Sequence, residues 1–142
     1  MVGRRQFLKR VMQTRFGKGT GNCFQAVLAS IFEIDIDAIP YFQDADDWYS
    51  MFREWAVETL GLEPVDLGPD SAGEFLKPQG YYIINGRSPR GNFDHSVVGW
   101  NGEMIHDPHV DGTGLRSVTS ITVFMRNPGA EDASGDAAEV DA

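Results

Sequence analysis

The sequence has a single cysteine, Cys23, and no apolar run long enough to cross a membrane. One cysteine excludes a disulfide within the chain and any zinc or iron–sulfur site with several thiolate ligands. A membrane span needs roughly 18 or more consecutive apolar residues, so the sequence also excludes an integral membrane protein. The paired Arg4 and Arg5 lack the apolar stretch that must follow them in an export signal. We therefore expect a protein of the cytoplasm, where thiols stay reduced.

Basic residues are few and unevenly placed: the chain has 12 Lys and Arg against 21 Asp and Glu, a net charge of −9. Six of these bases lie in residues 1–18, whereas residues 31–74 hold twelve acids and one base. An acidic surface repels phosphate, which argues against nucleic acid as a partner except through residues 1–18. We expect the basic segment to pair with the acidic region of its own chain.

Hydrophobic spacing predicts helices in the first half of the chain and strands in the second. We expect helices over 4–16, from Cys23 onward and over 46–60, the last one ending at Gly61 and carrying Trp48, Phe52 and Trp55 inward. The spacing of Ser71 and Glu74 suggests a helix cap. The predicted strands are 81–85, 95–100, 103–107 and 117–126. The fold class is thus α+β, with one domain over residues 1–126 and a disordered acidic tail over 127–142.

Cys23 is predicted to lie in the first turn of a buried helix, directly after the glycine-rich loop 17–22. The unpaired N–H groups and the dipole of a helix N-terminus stabilise a thiolate, and a nearby imidazole stabilises it further. A lone cysteine is also often a small buried side chain that packs like alanine. From position alone the two interpretations are equally good.

His95 opens an apolar strand, and Asp107 follows the next strand. A carboxylate there can accept the imidazole N–H and fix its tautomer. The turn Asn101-Gly102 predicts a hairpin between the strands. A regular two-residue turn would place Asp107 opposite Ser96, and its side chain would face away from His95. We therefore predict a bulge in the hairpin. It is either a three-residue loop that pairs His95 with Asp107 or an equivalent bulge further along the hairpin.

The segment 21–29 resembles the cysteine helix of papain-like peptidases. His95-Ser96-Val97-Val98-Gly99 with Ile105-His106-Asp107-Pro108 is similar to the bacteriocin-leader (double-glycine) peptidase branch, and the whole to small papain-like proteins of phages and bacteria. The resemblance implies a papain-like fold, with the cysteine at the start of the central helix and the helices packed on a C-terminal antiparallel sheet. It also implies a catalytic triad of Cys23, His95 and Asp107.

That superfamily often places a glutamine six residues before the cysteine, to donate a hydrogen bond to the oxyanion. Position 17 is a glycine in this chain. We expect the backbone N–H of Cys23 and the side chain of Asn22 to serve instead, with Thr20 or Gln13 as alternatives. A second histidine cluster consists of His106, Asp107, His109 and Asp111. Such residues can bind a divalent metal, but successive side chains of a strand point to opposite faces, which would separate His106 from Asp107. A metal site is therefore the weaker interpretation.

These features predict a cysteine hydrolase that cleaves a peptide, isopeptide or other amide bond through a thioester, with no cofactor and no metal. Its partner would be a peptide or protein substrate, and its compartment the cytoplasm, that of the host if a phage encodes it. The alternative is a papain-like binding module with little or no activity that acts on a host partner by contact. The rate at which Cys23 is alkylated near neutral pH separates the two.

Overall fold

The computed structural model describes residues 8–69 and 80–126. Within them lie two α-helices and five strands, and the strands form one antiparallel sheet in the order β1-β5-β2-β3-β4. The α+β prediction is therefore confirmed. The helices are α1 (Cys23–Phe32) and α2 (Trp48–Trp55), and the strands are β1 (Leu62–Leu67), β2 (Tyr82–Arg87), β3 (Asp94–Trp100), β4 (Glu103–His106) and β5 (Ser117–Arg126).

The chain divides into two compact units, which are described separately. Of the described residues, the first contains 8–41, 66–69 and 80–123, and the second contains 42–65 and 124–126. The predicted cap at Ser71 and Glu74 and the predicted tail at 127–142 lie outside the described residues. No helix of the described part is long and apolar enough to cross a membrane.

In the first unit, α1 begins at Cys23 as the sequence predicts and packs against β3. Ala26 to Ala29 are completely buried, and their small or branched side chains allow this close approach. Glu33 ends the helix in a left-handed conformation, with φ of 56°. The sheet buries a second cluster made of Tyr82, Ile84, Val97 and Ile121. Ile83 and Val98, which alternate with members of this cluster, are also completely buried, so both faces of the central strands are covered.

The predicted helix over 4–16 is wrong for its described part, because residues 8–16 have no helical structure. This segment bonds to distant residues instead of to itself. Val11 N donates to Ser30 Oγ at 2.9 Å, and Gln13 N donates to Pro108 O at 3.0 Å. The spacing of the apolar side chains suggested a helix, but backbone bonds to α1 and to the end of β4 outweigh local propensity.

The four predicted strands are all present, and the bounds of β5 match the prediction. The sequence did not predict β1, because Pro64 lies within it and a proline argues against a strand. Proline lacks the N–H that a central strand needs, but β1 lies at one edge of the sheet, where proline is tolerated.

In the second unit, α2 continues into a wider π-helical turn over Ala56–Leu60. Gly61 ends it with φ of 72°, as predicted. Phe52 is completely buried against Phe42, with ring centroids 5.5 Å apart. The expectation for Trp48 is wrong, since this side chain is exposed. Its ring stacks on that of Phe52 and meets that of Tyr49 edge to face, so the side chain is covered only in part.

Position 86 requires a glycine, because the backbone of β5 comes very close to it where the pairing of β2 with β5 shifts register. A Cβ atom at this position would lie 1.9 Å from the carbonyl oxygen of Ser117. That contact is with backbone, so no side-chain rotation relieves it. Gly86 also pairs with His95 on its other side, which makes this glycine part of the frame that holds the histidine.

We predict that Gly86→Ala lowers the free energy of unfolding by about 2–4 kcal/mol, because the backbone of β5 must move away. Urea denaturation of both proteins measures this difference. Gly68→Ala is the matched control, since a Cβ at Gly68 meets nothing within 4 Å. Equal losses of stability in the two variants would contradict the steric account.

Candidate active site

His95 lies near the start of β3, where its side chain is almost completely buried. Its Nε2 lies 2.7 Å from Oδ1 of Asp107. A carboxylate oxygen only accepts at neutral pH, so Nε2 carries a proton and donates it. Cys23 also acts on His95, because a hydrogen bond to the thiol and its charge both raise the pKa of the imidazole. Since Nε2 is engaged with Asp107, Nδ1 is the ring nitrogen left for the thiol.

Asp107 has three hydrogen-bond donors around its carboxylate. Oδ1 accepts from His95 and from the backbone N–H of His109 at 2.9 Å, and Oδ2 accepts from the backbone N–H of Gly114 at 2.7 Å. The Asp107 side chain is only 2% exposed. A buried carboxylate is costly without such partners. The loop 107–114 therefore folds around this group and fixes the orientation of the imidazole.

A bulge in the β3–β4 hairpin brings the two side chains together. Trp100 pairs with Glu103 and Gly99 with Met104, but Val98 then pairs with His106, so the register shifts by one residue. The three-residue loop that was our first alternative is wrong: Asn101 and Gly102 form a two-residue turn with φ of 54° and 87°. The second alternative, a bulge further along the hairpin, is confirmed. It turns Asp107 to the side of His95.

Cys23 is the first residue of α1 and is partly exposed. The first N–H groups of a helix lack a carbonyl partner within it, and Cys23 contributes one of them. The loop that precedes Cys23 is tight: Gly21 N donates to Gly17 O at 2.9 Å, and Gly17 has φ of 96°. A glutamine at position 17 would be strained in this conformation.

Asn22 is buried and holds the segment before the loop. Its Oδ1 accepts from the backbone N–H groups of Thr14 and Arg15 at 3.0 and 2.9 Å, and its Nδ2 donates to Thr14 Oγ1 at 2.9 Å. These contacts indicate that the Asn22 side chain, which we predicted to donate to an oxyanion, stabilises the backbone at Thr14 and Arg15. The hydroxyl of Thr20, an alternative donor, is bonded to Phe16 O within the loop.

Gln13 lies beside both halves of the site and is also buried. Its backbone N–H reaches Pro108, the residue after Asp107. Its Nε2 donates to Arg15 O at 2.9 Å, the same oxygen that accepts from Asn22 N at 3.2 Å. The carboxamide therefore lies next to the backbone that leads into Cys23. Its Oε1 is buried without a hydrogen-bond partner among the described residues.

The second histidine cluster is divided among separate contacts. His106 Nε2 donates to Val11 O at 2.8 Å and so holds the N-terminal segment, whereas Asp107 is engaged with His95. Nδ1 of His109 accepts from the backbone N–H of Asp111 at 3.1 Å. In the part of the chain that the structure describes, no group of three or more His, Cys, Asp or Glu residues is arranged to hold a metal ion.

The charges around His95 favour its protonated form. Burial alone lowers the pKa of His95, but hydrogen bonds to Asp107 and Cys23 and the charges of both groups outweigh it and raise the pKa to about 9. Burial likewise raises the pKa of Asp107, but the bonds from His95, His109 and Gly114 outweigh it and hold this pKa below its usual range. His106 differs: burial lowers its pKa, which suits a neutral ring that donates to Val11 O.

We predict that the stability contributed by His95 falls as pH rises from 6.5 to 9. The pKa of His95 is raised from 6.5 in the unfolded chain to about 9, so the folded protein holds the proton more tightly. This stabilisation is complete below 6.5 and is lost through 9. It is at most on the order of 3 kcal/mol. Proton NMR of the His95 ring between pH 6 and 10 measures this pKa in the folded protein, and a midpoint at or below 6.5 would contradict the raised pKa.

Comparison with known proteins finds no matching family model, no matching curated protein and no matching solved structure. The assignment of function therefore depends on the arrangement of Cys23, His95 and Asp107.

Proposed function

We propose that this protein is a papain-like cysteine hydrolase that cleaves a peptide, isopeptide or other amide bond. The observation that supports this proposal is the buried His95, whose Nε2 lies 2.7 Å from the Asp107 carboxylate and whose pKa is raised by both Asp107 and Cys23. A nucleophile, a base and a group that orients the base are the components of acyl transfer. A cysteine that only packs in a core needs neither of the other two.

In this reaction the Cys23 sulfur attacks the acyl carbon of the substrate as a thiolate. The carbonyl π bond breaks, and the negative charge moves to the oxygen. His95, protonated on both nitrogens, then gives its Nδ1 proton to the leaving amine as the C–N bond breaks, which leaves a thioester on Cys23. Water then attacks the thioester and gives a proton to His95 as the base; the S–C bond breaks, the carboxylic acid leaves, and the Cys23 thiolate is regenerated beside the protonated His95. Asp107 stays ionised throughout and holds the ring in position.

The oxyanion needs donors that are already in place. We assign the backbone N–H of Cys23, at the start of α1, as one of them. For the side-chain donor we choose Gln13 over Asn22. Asn22 makes three hydrogen bonds to Thr14 and Arg15. Nε2 of Gln13 donates one proton to Arg15 O, beside the backbone that leads into Cys23, and its amide group has a second proton to donate.

The alternative is a binding module without turnover. The observation that favours it is the exposure of apolar side chains in the segments around the site, namely Met12, Phe16 and Val110. Such side chains are typical of a surface that contacts another protein. A binding module has no need of a reactive thiol, so the reactivity of Cys23 separates the two functions.

We predict that iodoacetamide alkylates Cys23 at pH 6 at least about tenfold faster than it alkylates glutathione. A free thiol, with a pKa near 8.5, is almost entirely protonated at that pH, whereas a thiolate paired with an imidazolium is not. A more stable thiolate is also a weaker nucleophile, which limits the gain. Because the chain has one cysteine, the mass of the intact protein reports the reaction.

His95→Ala is expected to reduce the rate to that of an ordinary thiol, and Asp107→Asn to reduce it less. Between pH 6 and 8 the rate of the wild type is expected to stay nearly constant. A slow Cys23 in a folded wild-type protein, unaffected by His95→Ala, would contradict the hydrolase and favour the binding module.

We predict that Gln13→Ala slows acetylation of Cys23 by p-nitrophenyl acetate by a factor of about 100, because attack on the ester passes through an oxyanion. Alkylation by iodoacetamide has no oxyanion, and we expect its rate to be unchanged. Release of p-nitrophenol measures the first reaction. Gln25→Ala is the control, since Gln25 is also buried but donates to Pro40 O. Equal loss of both reactions in Gln13→Ala would indicate a structural role only.

A further inference from the structure

Phe16 is an aromatic side chain that is 49% exposed, although it lies in the segment that leads to Cys23. Its ring meets that of His109 edge to face, with centroids 5.3 Å apart and an interplanar angle of 79°. The hydroxyl of Thr20 donates to the carbonyl oxygen of Phe16 and restrains its backbone. The ring is thus exposed and also held in one place.

His109 links Phe16 to the general acid of the proposed reaction. Its ring centroid lies 6.4 Å from that of His95, again edge to face at 80°. Its backbone N–H bonds to Asp107, and its Nδ1 accepts from the backbone of Asp111. The three rings therefore form one continuous row, His95, His109 and Phe16, which we call the ring row.

In the proposed hydrolase, His95 protonates the amine that leaves. The leaving part of the substrate must then lie near His95, and the ring row is the aromatic surface that continues from His95 to the exposed Phe16. The row presents aromatic surface there, and two arginines of the same segments already have partners. Arg15 lies over the Tyr41 ring at 4.5 Å, and Arg90 pairs with Asp111 at 3.0 Å. Contact with an apolar group is favoured over capture of a charge.

We propose that the ring row is a subsite for the leaving amine and that it selects amines which carry a large apolar or aromatic side chain. This inference rests on the proposed function. A hydrophobic contact of this kind discriminates between substrates by about tenfold or more. Phe16 supplies the exposed part of the contact and is the residue that determines specificity.

Transfer of an acetyl group to added amines tests the subsite without knowledge of the natural substrate. Cys23 attacks p-nitrophenyl acetate, the S–C bond forms, and p-nitrophenolate leaves. An amine then attacks the thioester, the N–C bond forms, the S–C bond breaks, and the amine proton passes to His95. The yields of N-acetylphenylalaninamide and N-acetylglycinamide from equal concentrations of phenylalaninamide and glycinamide measure the preference. Aspartic acid amide reports a preference for charge.

We expect the wild type to favour phenylalaninamide over glycinamide by about tenfold. Phe16→Ala is expected to bring this ratio to within about twofold of one, while acetyl-Cys23 still forms, and Phe16→Leu to retain part of the preference. Met12→Ala is the control, because it removes another exposed apolar side chain from the same segment. We expect it to keep the wild-type ratio.

Three results would overturn the subsite: equal yields with the two neutral amines, a preference for aspartic acid amide, or a ratio that Phe16→Ala does not change. In each of them acetyl-Cys23 forms, so the proposed hydrolase is not affected. If Cys23 is acetylated no faster than glutathione, the proposed function fails, and the subsite fails with it.

Discussion

The hydrogen bond from His95 to the buried carboxylate of Asp107 is the contact on which the arrangement of the site depends. It exists because one extra residue in the β3–β4 hairpin turns Asp107 to the same side as His95. With regular pairing the carboxylate would face the other side of the sheet, and its burial would have no compensation. The backbone N–H groups of His109 and Gly114 complete its shell.

The N-terminal segment provides the other half of the frame. It runs without helical structure from Leu8 to Phe16 and bonds in turn to α1, to the end of β4 and to Asn22. Buried backbone groups must find partners, and here they find them on both sides of the site. As a result Gln13 and Phe16 come from one short segment, yet they lie beside the helix that carries the cysteine and beside the loop that carries Asp107.

The sequence predicted the parts of the fold that local pattern determines. The apolar stripe of α1, the turn at Asn101-Gly102 and the limits of β5 all belong to this class. It also indicated the need for a bulge. Side chains alternate between the two faces of a strand, and a triad requires His95 and Asp107 on the same face. The exact place of the bulge depends on packing along β3, which no local pattern encodes.

Other features could not be predicted, for physical reasons. Residues 8–16 have the spacing of a helix, but their backbone partners, such as Ser30, are distant in sequence. The donors to Asp107 from His109 and Gly114 are backbone groups, which every residue has, so they leave no mark in the sequence. Phe16 looks like one apolar residue of an amphipathic pattern, and only its contact with His109 distinguishes it.

The central claim is that His95 is an imidazolium paired with Cys23 at neutral pH. The most direct test is the ¹⁵N chemical shift of the two ring nitrogens of His95, followed between pH 6 and 10 in the wild type and in Cys23→Ala. The account predicts that both nitrogens are protonated at pH 7.5 in the wild type, that the change occurs near pH 9, and that it moves to lower pH in Cys23→Ala. A neutral His95 ring at pH 7.5, with a titration that Cys23→Ala does not alter, would contradict the ion pair.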